Sequence, residues 1–217
     1  AFSGETRLHA LNDVTIEATN GTFITVSGNL NVGAGTDGAG GTIALSAIDG
    51  GEIAIANALF LDASSSSVPY LPRVALTAQG GSVTVLADNG SITAVDSFGA
   101  NTGGFGGSDI ANGGNGVGGS VDVSVVNGGL LQGAFADFSA QGVGGFSEGQ
   151  GGSGTGGTVS LADLGGTLDF NFVFLDASGR GGPTDGGTGG DGTAGQASLQ
   201  ISGQAQAWDF VSITADA

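Results

Sequence analysis

Gly41-Thr42-Ile43-Ala44-Leu45 is a stretch that the chain writes five times. It returns as Gly81-Ser82-Val83-Thr84-Val85, as Gly119-Ser120-Val121-Asp122-Val123, as Gly157-Thr158-Val159-Ser160-Leu161 and as Gly195-Gln196-Ala197-Ser198-Leu199. The leading glycines lie 40, 38, 38 and 38 residues apart. A second block keeps this register: Leu59-Phe60-Leu61-Asp62-Ala63-Ser64 matches Val173-Phe174-Leu175-Asp176-Ala177-Ser178 at 114 residues, three such periods. A shorter unit opens the series at Val14-Thr15-Ile16, 29 residues before Ile43. Self-similarity at a fixed period of this length is the signature of stacked repeats, in which one unit cannot bury its apolar face alone.

Within a unit the signals are those of strands. Val14-Thr15-Ile16-Glu17-Ala18 alternates apolar and polar, Asn20-Gly21 is a turn, and Thr22 to Val26 and Leu30 to Val32 follow. The next unit repeats the scheme with Thr42 to Leu45, the turn Asp49-Gly50-Gly51, Glu52 to Ala56 and Leu59 to Ala63. Short β-branched and aromatic runs between Gly, Asn and Asp predict three strands per unit. After the third strand comes a Gly-rich excursion, shortest over 33–40 and long near 99–118, 142–156 and 179–194. The pattern predicts an all-β fold: a right-handed parallel β-helix, or β-solenoid, spanning 1–217 as one domain. It has about six coils, starting near 14, 42, 82, 120, 158 and 196. A β-propeller blade of similar length would need four antiparallel strands. Side-chain alternation predicts that Ile43, Leu45, Ile53, Ile55, Phe60 and Ala63 point inward. Phe60, Phe98, Phe135 or Phe138, Phe174 or Phe172, and Phe210 recur near one position of each coil, which predicts an aromatic ladder inside the third strand, with Phe60, Phe98, Phe135, Phe174 and Phe210 as its members.

The repeats resemble the repeat region of filamentous-haemagglutinin-like exoproteins and autotransporter adhesins. Val14 to Ala18, Gly40 to Ala47, Gly80 to Ala87 and Gly156 to Leu161 carry the likeness, which runs from about residue 10 to 217. The resemblance implies a right-handed β-helix, export from a Gram-negative-type cell, and adhesive or structural work at the cell surface. The chain has no counterpart of the Asn-Pro-Asn-Gly-Ile type motif of that family's secretion domain, so the resemblance is to the shaft.

Composition narrows the function classes. Of 217 residues 47 are Gly, a content that a helical bundle would not tolerate. Gly has no strict third-residue period and Pro numbers only 3, which excludes collagen. The formal net charge is −17, there is no Lys, and Arg7, Arg73 and Arg180 are the only cationic side chains besides the single His9. Such a chain cannot neutralise a run of phosphates, so neither nucleic acid nor an anionic membrane surface is an expected partner. No apolar run approaches the 18 residues of a membrane-spanning helix. With 0 Cys, disulfides, thiolate metal sites and thiol catalysis are excluded. The start Ala1-Phe2-Ser3 carries no leader-like segment, which predicts a processed or internal piece. Trp208 to Ala215 reads as strand and predicts an open edge, covered by more chain or by end-to-end stacking of copies.

Candidate chemistry is sparse. His9 stands in the irregular start, away from any Ser-His-Asp pattern. The acids Asp13, Asp49, Asp88 and Asp163 sit singly, where they serve turns. Gly186-Gly187-Thr188-Gly189-Gly190-Asp191-Gly192-Thr193-Ala194 follows a calcium-binding nonapeptide except at Thr193, where the pattern is apolar. A surface at −17 favours divalent cations bound loosely by Asp and backbone carbonyls, with Asp185 and Asp191 as the calcium candidates beside Asp37 and Asp109 in other Gly-rich segments. The Gly-rich segments read either as flexible loops or as a stacked ribbon anchored by Phe105, Ile110, Val117, Val143 and Phe146. The files Thr42, Ser82, Ser120, Thr158, Gln196 and Ala44, Thr84, Asp122, Ser160, Ser198 are rich in hydroxyls but lack the regular Thr array of an ice-binding face. The sequence points to a non-enzymatic extracellular or cell-surface protein, an adhesin shaft or filament subunit without a cofactor. The alternatives are a carbohydrate-binding or carbohydrate-active β-helix using Trp208, Tyr70 and paired carboxylates, and a calcium-dependent adhesin. A cleft holding two carboxylates about 5–10 Å apart beside an exposed aromatic distinguishes the glycan alternative.

Overall fold

The structure, a computed structural model, describes residues 4–67, 76–202, 204–205 and 208–217. Every regular element among them is a β-strand. The first strands of the units are Asp13–Thr19, Thr42–Ile48, Ser82–Asp88, Ser120–Val126, Thr158–Leu164 and Gln196–Ile201. They form one 6-stranded sheet in unit order, with every pairing parallel. Thr42, Ser82, Ser120, Thr158 and Gln196 pair in register, so the 38-residue sequence period is the coil of a parallel β-solenoid. The second and third strands stack likewise, as Glu52–Ile55 and Leu59–Asp62 in one coil and as the single long strands Leu130–Ser139 and Thr167–Asp176 in two others.

The corner between first and second strands is set by short polar residues. Asn20, Asp49, Asn89 and Asn127 hold φ between 48 and 51°, the left-handed region that Asn and Asp tolerate best after Gly. A Gly follows each, and the turns close through Thr22 N–H to Thr19 O at 3.0 Å, Gly51 to Ile48 at 3.0 Å and Gly129 to Val126 at 2.8 Å. The fifth corner has no such Asn. There Asp163 Oδ1 accepts the Gly166 N–H at 2.8 Å, so the acid serves the turn as the sequence predicts. Its side chain is nevertheless fully buried, in the inward file between Val125 and Ile201.

Inward files of like residues make the core. Ile43, Val83, Val121 and Val159 form one, Leu45, Val85, Val123 and Leu161 the next, each side chain at most 1 % exposed. Equivalent side chains repeat at about one interstrand step, 4.8 Å, so branched residues meet their own kind at contact distance. Burial of each such side chain is worth about 1.5–3 kcal/mol.

The aromatic ladder differs from expectation. Phe98 is buried, but Phe60, Phe135, Phe174 and Phe210 are exposed on the outer face. Register explains this. Phe98 pairs with Leu59 and Ala136 in an inward file, whereas Phe60, Gly99, Asp137 and Phe174 share an outward one. Phe135, Phe172 and Phe210 form a second outward file. A shift of one residue along a strand moves a side chain to the opposite face, which near-38 spacing cannot resolve. The inward positions beside Phe60 belong to Leu59 and Leu61. The true interior cluster is Phe98, Phe138 and Phe170, with Phe98 edge-on to Phe138 at 5.7 Å and to Phe170 at 6.4 Å.

The Gly-rich excursions are ordered. They leave the third strands, run outward, turn and come back, building a two-layered fin along one side of the solenoid. The outbound layer is a 4-stranded sheet of Ser65–Ser66, Gly104–Phe105, Gly142–Val143 and Gly179–Arg180. The return layer pairs Ala78–Gln79, Gly116–Val117, Gly154–Thr155 and Gly192–Thr193. The tip continues the ladder through Asp109, Ser147 and Thr184. Between the layers runs a zigzag of backbone bonds: Gly114 to Gly107 at 2.7 Å, Gly145 to Gly114 at 2.8 Å, Gly152 to Gly145 at 3.0 Å, Gly182 to Gly152 at 2.7 Å and Gly190 to Gly182 at 3.0 Å. A Cβ on Gly142 would lie 2.7 Å from the Thr155 nitrogen and nearer still to its carbonyl oxygen. These glycines are required by close approach, since the left-handed region is not where they sit. Ile110 and Phe146, expected as anchors, are exposed, because backbone and not side chains fills the space between the layers.

Candidate functional site

Where the fin leaves the body, the outer face of the third-strand sheet and the outbound limb meet in a concave corner. A groove of about 670 Å³ lies in it. The body contributes Phe60, Phe135, Phe174 and Asp137, which the register places on neighbouring outward files, and the fin contributes Phe105 and Gln141. Phe60 lies over a glycine: a Cβ on Gly99 would stand 3.0 Å from its ring. Phe105 does the same on Gly103, where a Cβ would meet the ring at 2.8 Å. Gly99 is the cross-strand partner of Phe60, and Gly103 precedes Phe105 by two residues on the same limb; each leaves the room its ring occupies.

The next outward file along these strands is Asp62, Asn101, Ser139 and Asp176. Three of them close the same local turn. Asp62 Oδ1 accepts the Ser64 N–H at 3.0 Å, Asn101 Oδ1 the Gly103 N–H at 3.0 Å and Asp176 Oδ1 the Ser178 N–H at 2.9 Å. These are Asx turns that end the strand and start the fin, and they fix each side-chain head. Gln141 Nε2 donates to Asp176 Oδ2 across one coil.

Asp137 is an exposed carboxylate on the groove wall. Partial desolvation by the groove walls raises its carboxyl above the usual 3.8, and the Asp176 charge adds to the rise. The two acids are diagonal neighbours, two residues along the strand and one coil apart, which corresponds to roughly 8 Å between backbones. Paired carboxylates beside exposed aromatics therefore occur in this chain, at Asp137 and Asp176.

The residues singled out from sequence fall elsewhere. Trp208 is partly buried against the core, with its Nε1 buried and without a partner among the described residues, and it does not line the groove. Tyr70 and Arg73 lie outside the described residues. Asp185 is exposed at the fin tip and Asp191 on the return limb, and among the described residues no three His, Cys, Asp or Glu are grouped to hold a metal ion. His9 rests on Gly33, whose Cβ would meet the ring at 2.8 Å. No described helix is long and apolar enough to cross a membrane.

Fold and groove together define a parallel β-solenoid with a lateral glycine fin. Comparison with protein-family models, curated proteins and solved structures finds no match to this chain.

Proposed function

We propose that the chain is a non-catalytic, exported structural segment: the shaft of a cell-surface adhesin or a subunit of an extracellular filament. The observation that carries this is the unbroken register. Body and fin repeat the same parallel ladder coil after coil, so pulling along the axis loads many backbone bonds together. The likeness of the repeats to filamentous-haemagglutinin-like and autotransporter adhesins supports the same reading. So does a lysine-free chain of charge −17, which keeps a β-rich surface soluble and self-repelling.

The last coil supplies a means of extension. Val211 and Ile213 continue the inward files of Val173 and Leu175, yet are 38 and 48 % exposed. A further coil, from the same chain or from a second copy, would cover them and complete the ladder. The test is labelling of intact producing cells with an antibody against this segment. Fibrous labelling of intact cells is expected; labelling confined to permeabilised cells would refute export and with it the shaft.

A second reading, carbohydrate recognition, is favoured by the groove that brings Phe60, Phe135 and Phe174 beside Asp62 and Asp137.

A further inference from the structure

We propose that the corner groove is a binding site for a linear neutral glycan lying along the solenoid axis. This goes beyond the shaft, which needs no groove. Its extent points to an elongated occupant. Phe60, Gly99, Asp137 and Phe174 come from four successive coils, three steps that span about 14 Å.

The apolar part of the site is a set of presented rings. Phe60 and Phe135 are each 44 % exposed and Phe174 is 36 % exposed, although Phe98, one residue away in register from this face, is fully buried. Phe60 and Phe105 each sit against a glycine, and the rings share the groove with Asp62, Asn101, Ser139 and Gln141. Exposed rings grouped in a concavity mark a binding surface, and their faces suit the C–H faces of pyranose rings.

The polar part decides between a sugar and a cation. Asp62 and Asn101 each spend one oxygen on an Asx turn, which fixes the head and leaves Asp62 Oδ2 and Asn101 Nδ2 without a partner among the described residues. Asn101, Ser139 and Gln141 can both donate and accept, as sugar hydroxyls do, whereas a cation would use only acceptor oxygens and leave the Asn101 Nδ2 donor unused. Polar heads held in place before the ligand arrives lower the ordering cost of binding. Charge excludes the acidic glycans. Among the described residues no basic side chain lines the groove, Asp62 and Asp137 do, and Asp176 adjoins them.

The test is isothermal titration of the 217-residue protein with neutral hexasaccharides of glucose, N-acetylglucosamine, galactose and mannose, with hexagalacturonate and hexalysine alongside. Saturable binding of at least one neutral hexasaccharide is expected, with none of hexagalacturonate. The double variant Phe60→Ala, Phe135→Ala should weaken it tenfold or more. Asn101→Asp keeps the turn oxygen but loses the donor, and should weaken it as well. Thr84→Ala on the first-strand sheet should leave it unchanged, and circular dichroism establishes that each variant is folded. Binding of no neutral hexasaccharide, tighter binding of hexalysine or hexagalacturonate, or full binding by the folded double variant would overturn the proposal. Release of reducing ends would refute the non-catalytic reading above while leaving the binding site standing.

Discussion

Gly142→Ala tests whether the fin is a packed layer. The added Cβ would stand 2.7 Å from the Thr155 nitrogen, on the facing limb of the same coil. A carbon in ordinary contact with backbone polar atoms keeps about 3.3–3.6 Å; clearing the nitrogen alone takes about 0.6 Å, and the nearer Thr155 carbonyl oxygen requires about 1 Å or more. A gap of that size forfeits a quarter to a half of the dispersion energy of each facing pair, and overpacking of this kind costs about 1–3 kcal/mol. Taking about 2 kcal/mol, the melting temperature should fall by about 4–8 °C for a chain of this size. Gly189→Ala is the control, because its Cβ would find its nearest neighbour, Gly182 O, at 3.9 Å. It should change stability by less than about 0.5 kcal/mol, as surface substitutions do. Thermal unfolding by circular dichroism gives the totals. Hydrogen exchange locates them: Gly142, which donates to Ser178 O at 3.0 Å, and Gly156, which donates to Thr193 O at 2.9 Å, should lose protection in the first variant only. Two variants with equal melting temperatures and equal protection would refute the backbone-packed fin.

The remaining predictions concern the body. Phe138→Ala should cost about 3–5 kcal/mol, because the ring is fully buried against Phe98. Phe135→Ala should lose only about the 0.5–1.5 kcal/mol of its stacking on Phe172, with ring centres 4.9 Å apart; equal costs in urea unfolding would restore the single inward ladder. Asn89→Val should destabilise by about 1–2 kcal/mol, since φ is 48° there, and Asn89→Gly should be nearly neutral; a stable Val variant would refute the left-handed corner. The carboxyl of Asp137 is raised in the folded state, so its ionisation costs stability that returns as pH falls toward 3.8. Asp137→Asn should therefore unfold at higher urea than the unmodified chain at pH 7, with the difference closing near pH 4; a less stable variant at pH 7 would contradict the desolvated site.

The fold was legible because its information is periodic. A glycine, two apolar residues with one between, and a return after 38 residues define strand, face and register at once, and the pairing of Ser82 with Ser120 follows from counting. The aromatic positions were not legible, because alternation punishes an error of one residue. Phe98 and Phe60 are 38 apart, yet the strand holding Phe98 is offset so that Gly99, not Phe98, is the partner of Phe60. The fin was half legible. Its length and glycine content were plain, but glycine permits flexibility as readily as close packing, and only the facing carbonyl oxygens decide between them. The groove was hidden because it joins residues from different coils with two from the fin. The recurrence of Asp, Asn, Ser and Asp at 62, 101, 139 and 176 was the available signal.

The two halves of this molecule answer temperature differently. The body is held by apolar side chains, whose burial weakens on cooling and carries a large heat-capacity change on exposure. The fin buries peptide groups against peptide groups, and exposing polar surface changes the heat capacity with the opposite sign. It also has almost no side-chain rotamers to freeze when it forms. The stability of the fin should thus vary little over a range in which that of the body curves strongly, so cooling shifts the weakest part of each coil from the glycine limbs toward the aliphatic interior.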